Sequence, residues 1–201
     1  MSWIQVIDEE QAEGKLKRIY KQISGPNGQV DNVLKIHSLR PHSLQGHMAL
    51  YKNVLHHTGN SLPKWYLEAI GVYVSMLNKC SYCVEHHYVG LRRGLNGDED
   101  KAALIRTAFE NEQLEEVFDE PHLSGLEYAK TLTLSVSGIN ESNITHLKEA
   151  GLDDGQILEI NQVTSYFNYV NRTVLGLGVH INGETLGTSP NSSDSDDWTH
   201  R

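Results

Sequence analysis

Both cysteines of the chain lie in the segment Cys80-Ser81-Tyr82-Cys83, and His87 follows four residues later. Residues three and four positions apart share one face of a helix, so Cys80, Cys83 and His87 are expected to line one side of two turns. If the helix begins at Cys80, both sulfur atoms lie in its first turn, where unpaired N–H groups and the helix dipole favour a thiolate. His87 can then accept the thiol proton or stabilise the anion.

Glu68 is the acidic residue that can complete this set. It stands twelve positions before Cys80, on the preceding predicted helix and directly next to Leu67 of that helix's apolar stripe. If the helix folds back beside the cysteine helix, Glu68 can orient His87 or pass protons to it. Nucleophile, base and orienting carboxylate would then all be present, as nucleophilic catalysis requires.

These residue types suit peroxide reduction by a thiol–disulfide cycle. A thiolate attacks the O–O bond and becomes a sulfenic acid, and the second cysteine, one helical turn away, condenses with it to a disulfide. An external dithiol must then reduce the disulfide by exchange. This cycle needs no bound metal, haem or flavin, so we expect no cofactor.

The same side chains have other interpretations. Cys80, Cys83 and His87 are three soft zinc ligands, and Glu68 can be a fourth. Structural zinc usually draws its ligands from loops or from two separate knuckles, and this chain has no second cysteine pair, so we predict no metal site. The cysteines can also be buried small hydrophobes, and Glu68 can form a surface pair with Lys64.

The other histidines do not add to this set. His86 points about 100° away from His87 on a helix and is expected to face solvent or an interface. The histidines between positions 37 and 57 share no helical face and are interpreted as scattered: His37, His42, His47, His56 and His57.

Hydrophobic residues recur at helical spacing along the chain, which predicts an all-α single domain. Pro63 opens the helix that carries Glu68, and the cysteine helix runs from about Cys80 to Arg93. Further helices are expected at about 98–110, 122–136 and 143–150, and a last long helix starts near Asp153. Two acid–glutamine pairs have capping spacing: Asp8 with Gln11, and Asp153 with Gln156.

The length and the net charge of the chain limit the classes of protein to which it can belong. The 201 residues and 22.6 kDa fit one domain, and the formal charge of −9 makes a nucleic-acid partner improbable. Residues 1–10 contain acids and no long apolar core, unlike a signal peptide, and no stretch approaches the ~20 apolar residues that span a bilayer. We therefore expect a cytoplasmic protein without a membrane partner. The polar composition of residues 184–201 predicts a disordered tail.

Taken together, the motifs resemble a known family. The segment from Leu62-Pro63 through Glu68, the Cys80 to Cys83 motif and His86-His87 resembles the alkylhydroperoxidase D (AhpD)-like core of the carboxymuconolactone decarboxylase superfamily. Its pattern is Glu, eleven residues, Cys-x-x-Cys, three residues, His. The segment from Tyr166 to Arg172 resembles the closing helix of the peroxidase-related branch, and the resemblance covers roughly residues 5 to 180.

The resemblance implies an AhpD-like all-α domain, here residues 1–183 with the core motif at 62–95, that assembles into trimers or hexamers. It also implies a peroxidase in which Cys83 attacks, Cys80 resolves, and Glu68 and His87 form a proton relay. The implied partners are a small hydroperoxide and an external dithiol, lipoyl-bearing or thioredoxin-like reductant. Well-studied members have a histidine where this chain has Tyr82, and a tyrosine cannot act as a base near neutral pH.

Two other functions stay open at this point. One is a decarboxylase-like lyase or isomerase acting on a small organic acid, although such branches typically lack the cysteine pair. The other is a non-catalytic oligomer that senses redox state through its disulfide. Asn168 and Arg172, four positions apart, can face the thiols or a neighbouring subunit. The interpretation that we favour is that Arg172 pairs with an acid across an interface, while Phe167 and Val170 belong to the core.

Overall fold

The structure, a computed structural model, describes residues 2–25 and 27–190 of the chain. Within these residues the protein is all-helical, as predicted. The helices are α1 (Gly14–Ile23), α2 (Asn32–Lys35), α3 (Pro41–Tyr51), α4 (Lys64–Leu77), α5 (Ser81–Gly94), α6 (Glu99–Asn111), α7 (His122–Leu134), α8 (Glu141–Glu149) and α9 (Asp154–Leu177). A π-helical turn, Lys52–His56, continues α3, and 3₁₀ turns lie at Glu9–Gln11, Leu114–Glu116 and Val136–Gly138.

Helix α4 is the central element of the fold. Every residue from Tyr66 to Ser75 is buried, because α5, α7 and α9 all pack against this helix. A helix covered on every side must be apolar nearly all round. Glu68 is the charged exception within this run, which marks it as a residue with a specific partner.

The turn between α4 and α5 places the cysteines. Asn78 and Lys79 form the joint, as predicted, and Lys79 has a left-handed backbone (φ 58°). The Cys80 N–H donates to the Ser75 carbonyl at 2.8 Å, and Cys80 is the N-cap of α5. Because the joint is this short, α5 folds back along α4.

Helix α9 closes the core beside α4. The predicted cap is confirmed, since Asp153 accepts from the Gln156 N–H at 2.8 Å and Gln156 accepts from the Asp153 N–H at 3.1 Å. Phe167 packs against Gly71 of α4, where a Cβ atom would lie only 2.3 Å from the Phe167 ring. Glycine at this position therefore lets α9 approach the helix that carries Glu68.

The predicted cap at Asp8 is wrong. Asp8 precedes only a 3₁₀ turn and makes no capping bond through its side chain, while α1 starts at Gly14. The neighbouring Glu9 instead accepts from the Val30 N–H at 2.7 Å and pairs with Lys35 at 2.7 Å. These long-range contacts hold the first residues against the region around α2 in place of a longer helix.

The chain after α9 returns across α2 and α5. Glu184 accepts from the Asn32 N–H at 2.7 Å, and Arg93 donates to the Gly187 carbonyl at 2.8 Å. Residues 184–190 of the predicted tail thus contact the body of the protein, and residues 191–201 lie outside the described residues. Among the helices that the structure describes, none is long and apolar enough to cross a bilayer.

Candidate active site

The two cysteines lie at the start of α5, both reduced and both buried. The pKa of Cys80 is lowered, first by a hydrogen bond from the Cys83 thiol and then by the Cys83 N–H and the Asn171 amide, which together outweigh burial. The pKa of Cys83 is raised, because its thiol donates to Cys80 and because it is buried. Of the two thiols, Cys80 therefore loses its proton more readily than Cys83.

The two cysteines also differ in whether a small molecule can reach them, and here Cys83 is the more accessible one. Cys83, and not Cys80, lines an internal cavity of about 40 Å³. That volume holds a few water-sized molecules and is smaller than the about 150 Å³ that accommodates benzene. The thiol that a small substrate can reach is therefore Cys83.

His87 and Glu68 form a pair at the same cavity. His87 Nδ1 lies 2.8 Å from Glu68 Oε2, and the Glu68 side chain is only 3% exposed. Gly90, one turn beyond His87 on α5, makes room for the carboxylate, because a Cβ atom there would lie 2.6 Å from the Glu68 carboxyl carbon. Helix α4 lies beside α5, which is the condition under which Glu68 was expected to reach His87, and Cys80, Cys83, His87 and Glu68 lie close together.

Asn171 supports the thiol pair from α9. Its amide donates to Ser75 Oγ at 3.0 Å, and its oxygen accepts from the Asn78 amide at 3.0 Å. It also hydrogen-bonds the two cysteine sulfurs and lowers the pKa of each. Sequence analysis missed Asn171, although a polar residue within the apolar stripe of α9 is a usable signal.

Asn168 and Arg172 form a contact of their own. Arg172 donates to the carbonyl and the side-chain oxygen of Asn168, at 2.8 and 2.7 Å. The Asn168 amide in turn donates to Thr133 at 3.0 Å. Neither residue lines the thiol cavity. Whether they face a neighbouring subunit stays a prediction.

His86 is a correction to the sequence analysis. It was expected to face solvent or an interface, yet it is buried with only 8% of its surface exposed. Its ring stacks on Tyr82 at 4.5 Å, and its Nε2 lies 3.4 Å from Glu184. The reason is the C-terminal segment, which covers this face of α5 and which helical spacing alone does not reveal.

A second group of polar side chains forms one wall of the cavity beneath that segment. Asp31 lines the cavity and hydrogen-bonds Thr188, and burial raises the Asp31 pKa. The Tyr82 hydroxyl accepts from the Val33 N–H at 3.2 Å, and burial raises its pKa far above 10. Tyr82 is thus a neutral phenol engaged in holding the wall.

Aromatic side chains also line the cavity. Tyr51 and Tyr166 lie 5.8 Å apart, and His47 of α3 lies 5.9 Å from Tyr166, measured between ring centroids. One of the histidines that the sequence analysis interpreted as scattered, His47, thus lines the cavity. Its position three residues after Leu44 and four before Tyr51 already placed it on the buried face of α3.

In the sequence, Cys80, Cys83, His87 and Glu68 were also possible zinc ligands. Within residues 2–25 and 27–190, the structure contains no group of three or more His, Cys, Asp and Glu side chains arranged to hold a metal ion.

No family model matches the chain, and no curated protein matches it. Solved structures do share its fold. One is an uncharacterized peroxidase-related protein with an alkylhydroperoxidase AhpD core from Ralstonia eutropha JMP134, at TM-score 0.77 and 22% identity over 90% of this chain and 93% of that chain. Another is an uncharacterized peroxidase-related protein from Silicibacter sp. TM1040, at TM-score 0.76 and 25% identity over 90% and 92%.

A third structural neighbour has a different activity. It is a cysteine-to-alanine variant of the debrominase Bmp8 in complex with 2,3,4-tribromopyrrole, at TM-score 0.66 and 16% identity over 91% of this chain and 95% of that chain. The neighbours thus include both peroxidase-related proteins and an enzyme that acts on a different bond.

Proposed function

We propose that this chain, which has an AhpD-like fold, is a thiol peroxidase that reduces small hydroperoxides at Cys83. The observation that carries the proposal is the meeting of a dithiol and a histidine paired with a buried carboxylate at one small cavity. The cavity volume of about 40 Å³ suits a molecule the size of hydrogen peroxide.

The first step is attack by Cys83. A carboxylate that accepts from the His87 Nδ1–H leaves Nε2 as the basic nitrogen, and this nitrogen takes the thiol proton of Cys83. The thiolate sulfur then bonds to one peroxide oxygen, and the O–O bond breaks with its electron pair on the other. The departing oxygen takes the proton from His87, so that an alcohol or water leaves and Cys83 becomes a sulfenic acid.

The second step is resolution by Cys80. Cys80 lies one helical turn from the sulfenic sulfur, and its lowered pKa favours the thiolate form that attacks. Attack forms the S–S bond and expels hydroxide, which is protonated to water. An external dithiol then returns both cysteines to thiols by exchange, and its own sulfur atoms become the disulfide. The position of Cys83 at the cavity and the lowered pKa of Cys80 support the assignment of Cys83 to attack and Cys80 to resolution.

Reductive debromination is a second candidate, favoured by one observation. The aromatic side chains that line the cavity, Tyr51 and Tyr166, offer ring faces to an aromatic substrate. The same dithiol can supply the two electrons, so that the C–Br bond becomes C–H, bromide leaves and the cysteines become a disulfide. We favour the peroxide because the cavity is too small for a brominated ring without movement of its walls.

The proposal is tested by peroxide consumption with dithiothreitol as reductant, comparing the parent with Cys83→Ser and Cys80→Ser. We expect steady turnover of hydrogen peroxide by the parent and a loss of at least ~10²-fold in each variant, because the cycle needs both thiols. Glu149→Gln, an exposed change on α8, is the matched control and should turn over like the parent.

Two results would reject the proposal. A parent that consumes no peroxide but releases bromide from 2,3,4-tribromopyrrole would select the second candidate. A parent inert towards both substrates would leave the lyase and redox-sensing alternatives, which a carboxylic acid substrate screen and an oligomer measurement in oxidised and reduced protein would separate.

A further inference from the structure

Three asparagines, Asn168, Asn78 and Asn171, form a chain of side-chain hydrogen bonds that ends beside the thiols. Asn171 and Cys80 are both fully buried. A charge on a buried sulfur must be stabilised by donors of the protein, since water does not reach it. Whether Asn171 offers the sulfur its N–H or its oxygen depends on which way its amide is turned.

The outer end of the chain is fixed by one group that can only accept and one that can only donate. The Asn168 amide nitrogen lies 3.0 Å from the Thr164 carbonyl oxygen, and the Asn168 amide oxygen lies 2.7 Å from Nη1 of Arg172. A carbonyl has no proton to donate, and a guanidinium cannot accept. The Asn168 amide therefore has a single orientation, with its oxygen towards Arg172.

This orientation is passed from Asn168 to Asn171. The Asn168 oxygen can only accept, so the Asn78 atom that lies 3.1 Å from it must be the amide nitrogen. The same nitrogen lies 3.0 Å from Asn171, which must present its oxygen there. The Asn171 nitrogen is consequently turned to the other side, where it lies 3.0 Å from Ser75 Oγ.

The side to which this nitrogen turns is the start of α5. Ser75 adjoins Cys80, because the Cys80 N–H donates to the Ser75 carbonyl at 2.8 Å. An amide nitrogen has two hydrogens, and Ser75 Oγ accepts one of them. The second is available to the sulfurs, in agreement with the lowering effect of Asn171 on the pKa of both cysteines.

We propose that Asn168 and Asn78 are positioning residues that hold the N–H of Asn171 towards the thiols. Held in this way, Asn171 stabilises the thiolate of Cys80 in the resolving step, so the inference rests on the proposed peroxidase function. In that step Cys80 gives up its proton, and its sulfur bonds to the sulfenic sulfur of Cys83. The S–O bond breaks with its electron pair on oxygen, and the departing hydroxide takes up the proton and leaves as water.

A titration of Cys80 tests the orientation without peroxide. The background is Cys83→Ser, in which Cys80 is the one thiol of the chain and the new hydroxyl can still donate to it. The ultraviolet absorbance of the thiolate against pH gives the Cys80 pKa. Besides burial, the groups that act on this pKa are Cys83 and Asn171.

Three variants in that background separate the chain from its last member. Asn171→Leu removes the N–H and should raise the Cys80 pKa by ~1 or more, because a hydrogen bond to a charged group is lost. Asn168→Leu frees the Asn78 amide to turn, so that Asn171 loses its single orientation and the Cys80 pKa rises by roughly half as much. Asn168→Asp keeps an accepting oxygen for Asn78 and Arg172, and should restore the pKa of the background.

The matched control is Asn161→Leu. It makes the same change on α9, at an amide that donates to Tyr128 at 2.7 Å and takes no part in the chain. We expect an unchanged Cys80 pKa. If Asn171→Leu does not fold, Asn171→Ala, which also has no amide, takes its place. A purely structural role of Asn168 predicts a lower Tm in Asn168→Leu and an unchanged Cys80 pKa.

The effect on resolution is measured with both cysteines present. After one equivalent of hydrogen peroxide, intact mass follows the conversion of the Cys83 sulfenic acid to the disulfide. Below the Cys80 pKa, Asn171→Leu should slow this conversion ~3-fold, because a tenfold loss of thiolate is partly offset by its greater nucleophilicity.

The outcomes separate this inference from the proposed function. An unchanged Cys80 pKa in Asn168→Leu, or one raised as much in Asn168→Asp, would overturn the positioning role and leave the peroxidase function standing. A raised pKa with an unchanged rate of disulfide formation would overturn the role in resolution. A parent that consumes no peroxide would overturn the proposed function and the resolving role with it, whereas the titrations would still decide the orientation of Asn171.

Discussion

At the scale of single residues, the two thiols differ in what surrounds them. Cys80 accepts hydrogen bonds from the Cys83 thiol and from Asn171, and these stabilise its thiolate. Cys83 keeps its proton but faces the cavity. A site with one thiol that a substrate can reach and a second thiol of lowered pKa is suited to attack by the first and resolution by the second.

Gly90 gives a direct test of the histidine–carboxylate pair. A Gly90→Ala side chain would lie 2.6 Å from the Glu68 carboxyl carbon, so the carboxylate must move away from its 2.8 Å contact with His87. We expect peroxide turnover to fall at least ~10-fold, since an imidazole that has lost its orienting carboxylate accepts the thiol proton poorly. Steady-state kinetics of the purified variant measure this.

Gly46→Ala is the matched control. Gly46 lies in α3, and a Cβ atom there meets nothing within 4 Å. This change should leave turnover unaltered and raise helix stability by up to ~1 kcal/mol. If Gly90→Ala is as active as the parent, the contact between Glu68 and His87 does not contribute to turnover.

The residue scale also shows what the sequence could and could not predict. Helical spacing predicted that Cys83 and His87 lie on one face of α5. Glu68 joins them if the preceding helix, α4, folds back beside α5. Asp31 and Glu184 come from segments far away in the chain, and spacing within one helix carries no information about such neighbours. Asn171 and His47 were detectable as polar residues on otherwise buried helix faces, but a helical pattern does not say which cavity a buried face adjoins.

At the scale of elements, the α4–α5 hairpin positions the chemistry and the C-terminal segment covers it. The hairpin was predictable, because Pro63, the Asn78-Lys79 joint and the apolar stripe of α4 all indicate it. Residues 184–190 carry the composition of a polar tail, yet Glu184 and Thr188 bind His86 and Asp31. These polar contacts hold the segment in place. Because they need no hydrophobic periodicity, nothing in the sequence pattern indicates them.

Glu184 should hold this segment over the cavity. Burial alone would raise the Glu184 pKa, but hydrogen bonds from His86 and the Asn32 N–H outweigh burial and lower it. A carboxylate with a lowered folded-state pKa contributes stability above its usual value of ~4.3, and the contribution is lost as pH falls through the folded-state pKa. The contact is thus present at neutral pH and weakens only in acid.

Glu184→Gln tests this contact at neutral pH. We expect amide hydrogen exchange of residues 180–190 to become ~10-fold faster, because the hydrogen bond between residue 184 and His86 is weakened. Because residues 184–190 would then cover the cavity less tightly, kcat/KM for the bulkier tert-butyl hydroperoxide should rise relative to kcat/KM for hydrogen peroxide. Unchanged exchange and an unchanged substrate ratio would show that the segment is held by its other contacts.

At the scale of the whole molecule, the predicted AhpD-like all-α fold is confirmed by the helices and by the solved structures that share it. The trimer or hexamer stays a prediction, and so do the external reductant and the cytoplasmic location. An oligomer depends on surfaces of a second copy, and helical periodicity describes only the inward face of each element. Helical periodicity therefore predicts the fold of a single chain and does not predict how many copies assemble.

The central claim is that Cys83 is oxidised by peroxide and that Cys80 resolves it. The most direct test is the intact mass of reduced protein after one equivalent of hydrogen peroxide, without added reductant. We expect the parent to lose two hydrogen atoms as the disulfide forms, Cys80→Ser to gain one oxygen atom as a sulfenic acid at Cys83, and Cys83→Ser to stay unchanged. A gain of oxygen in Cys83→Ser with no change in Cys80→Ser would reverse the two roles, and a parent of unchanged mass would contradict the thiol cycle.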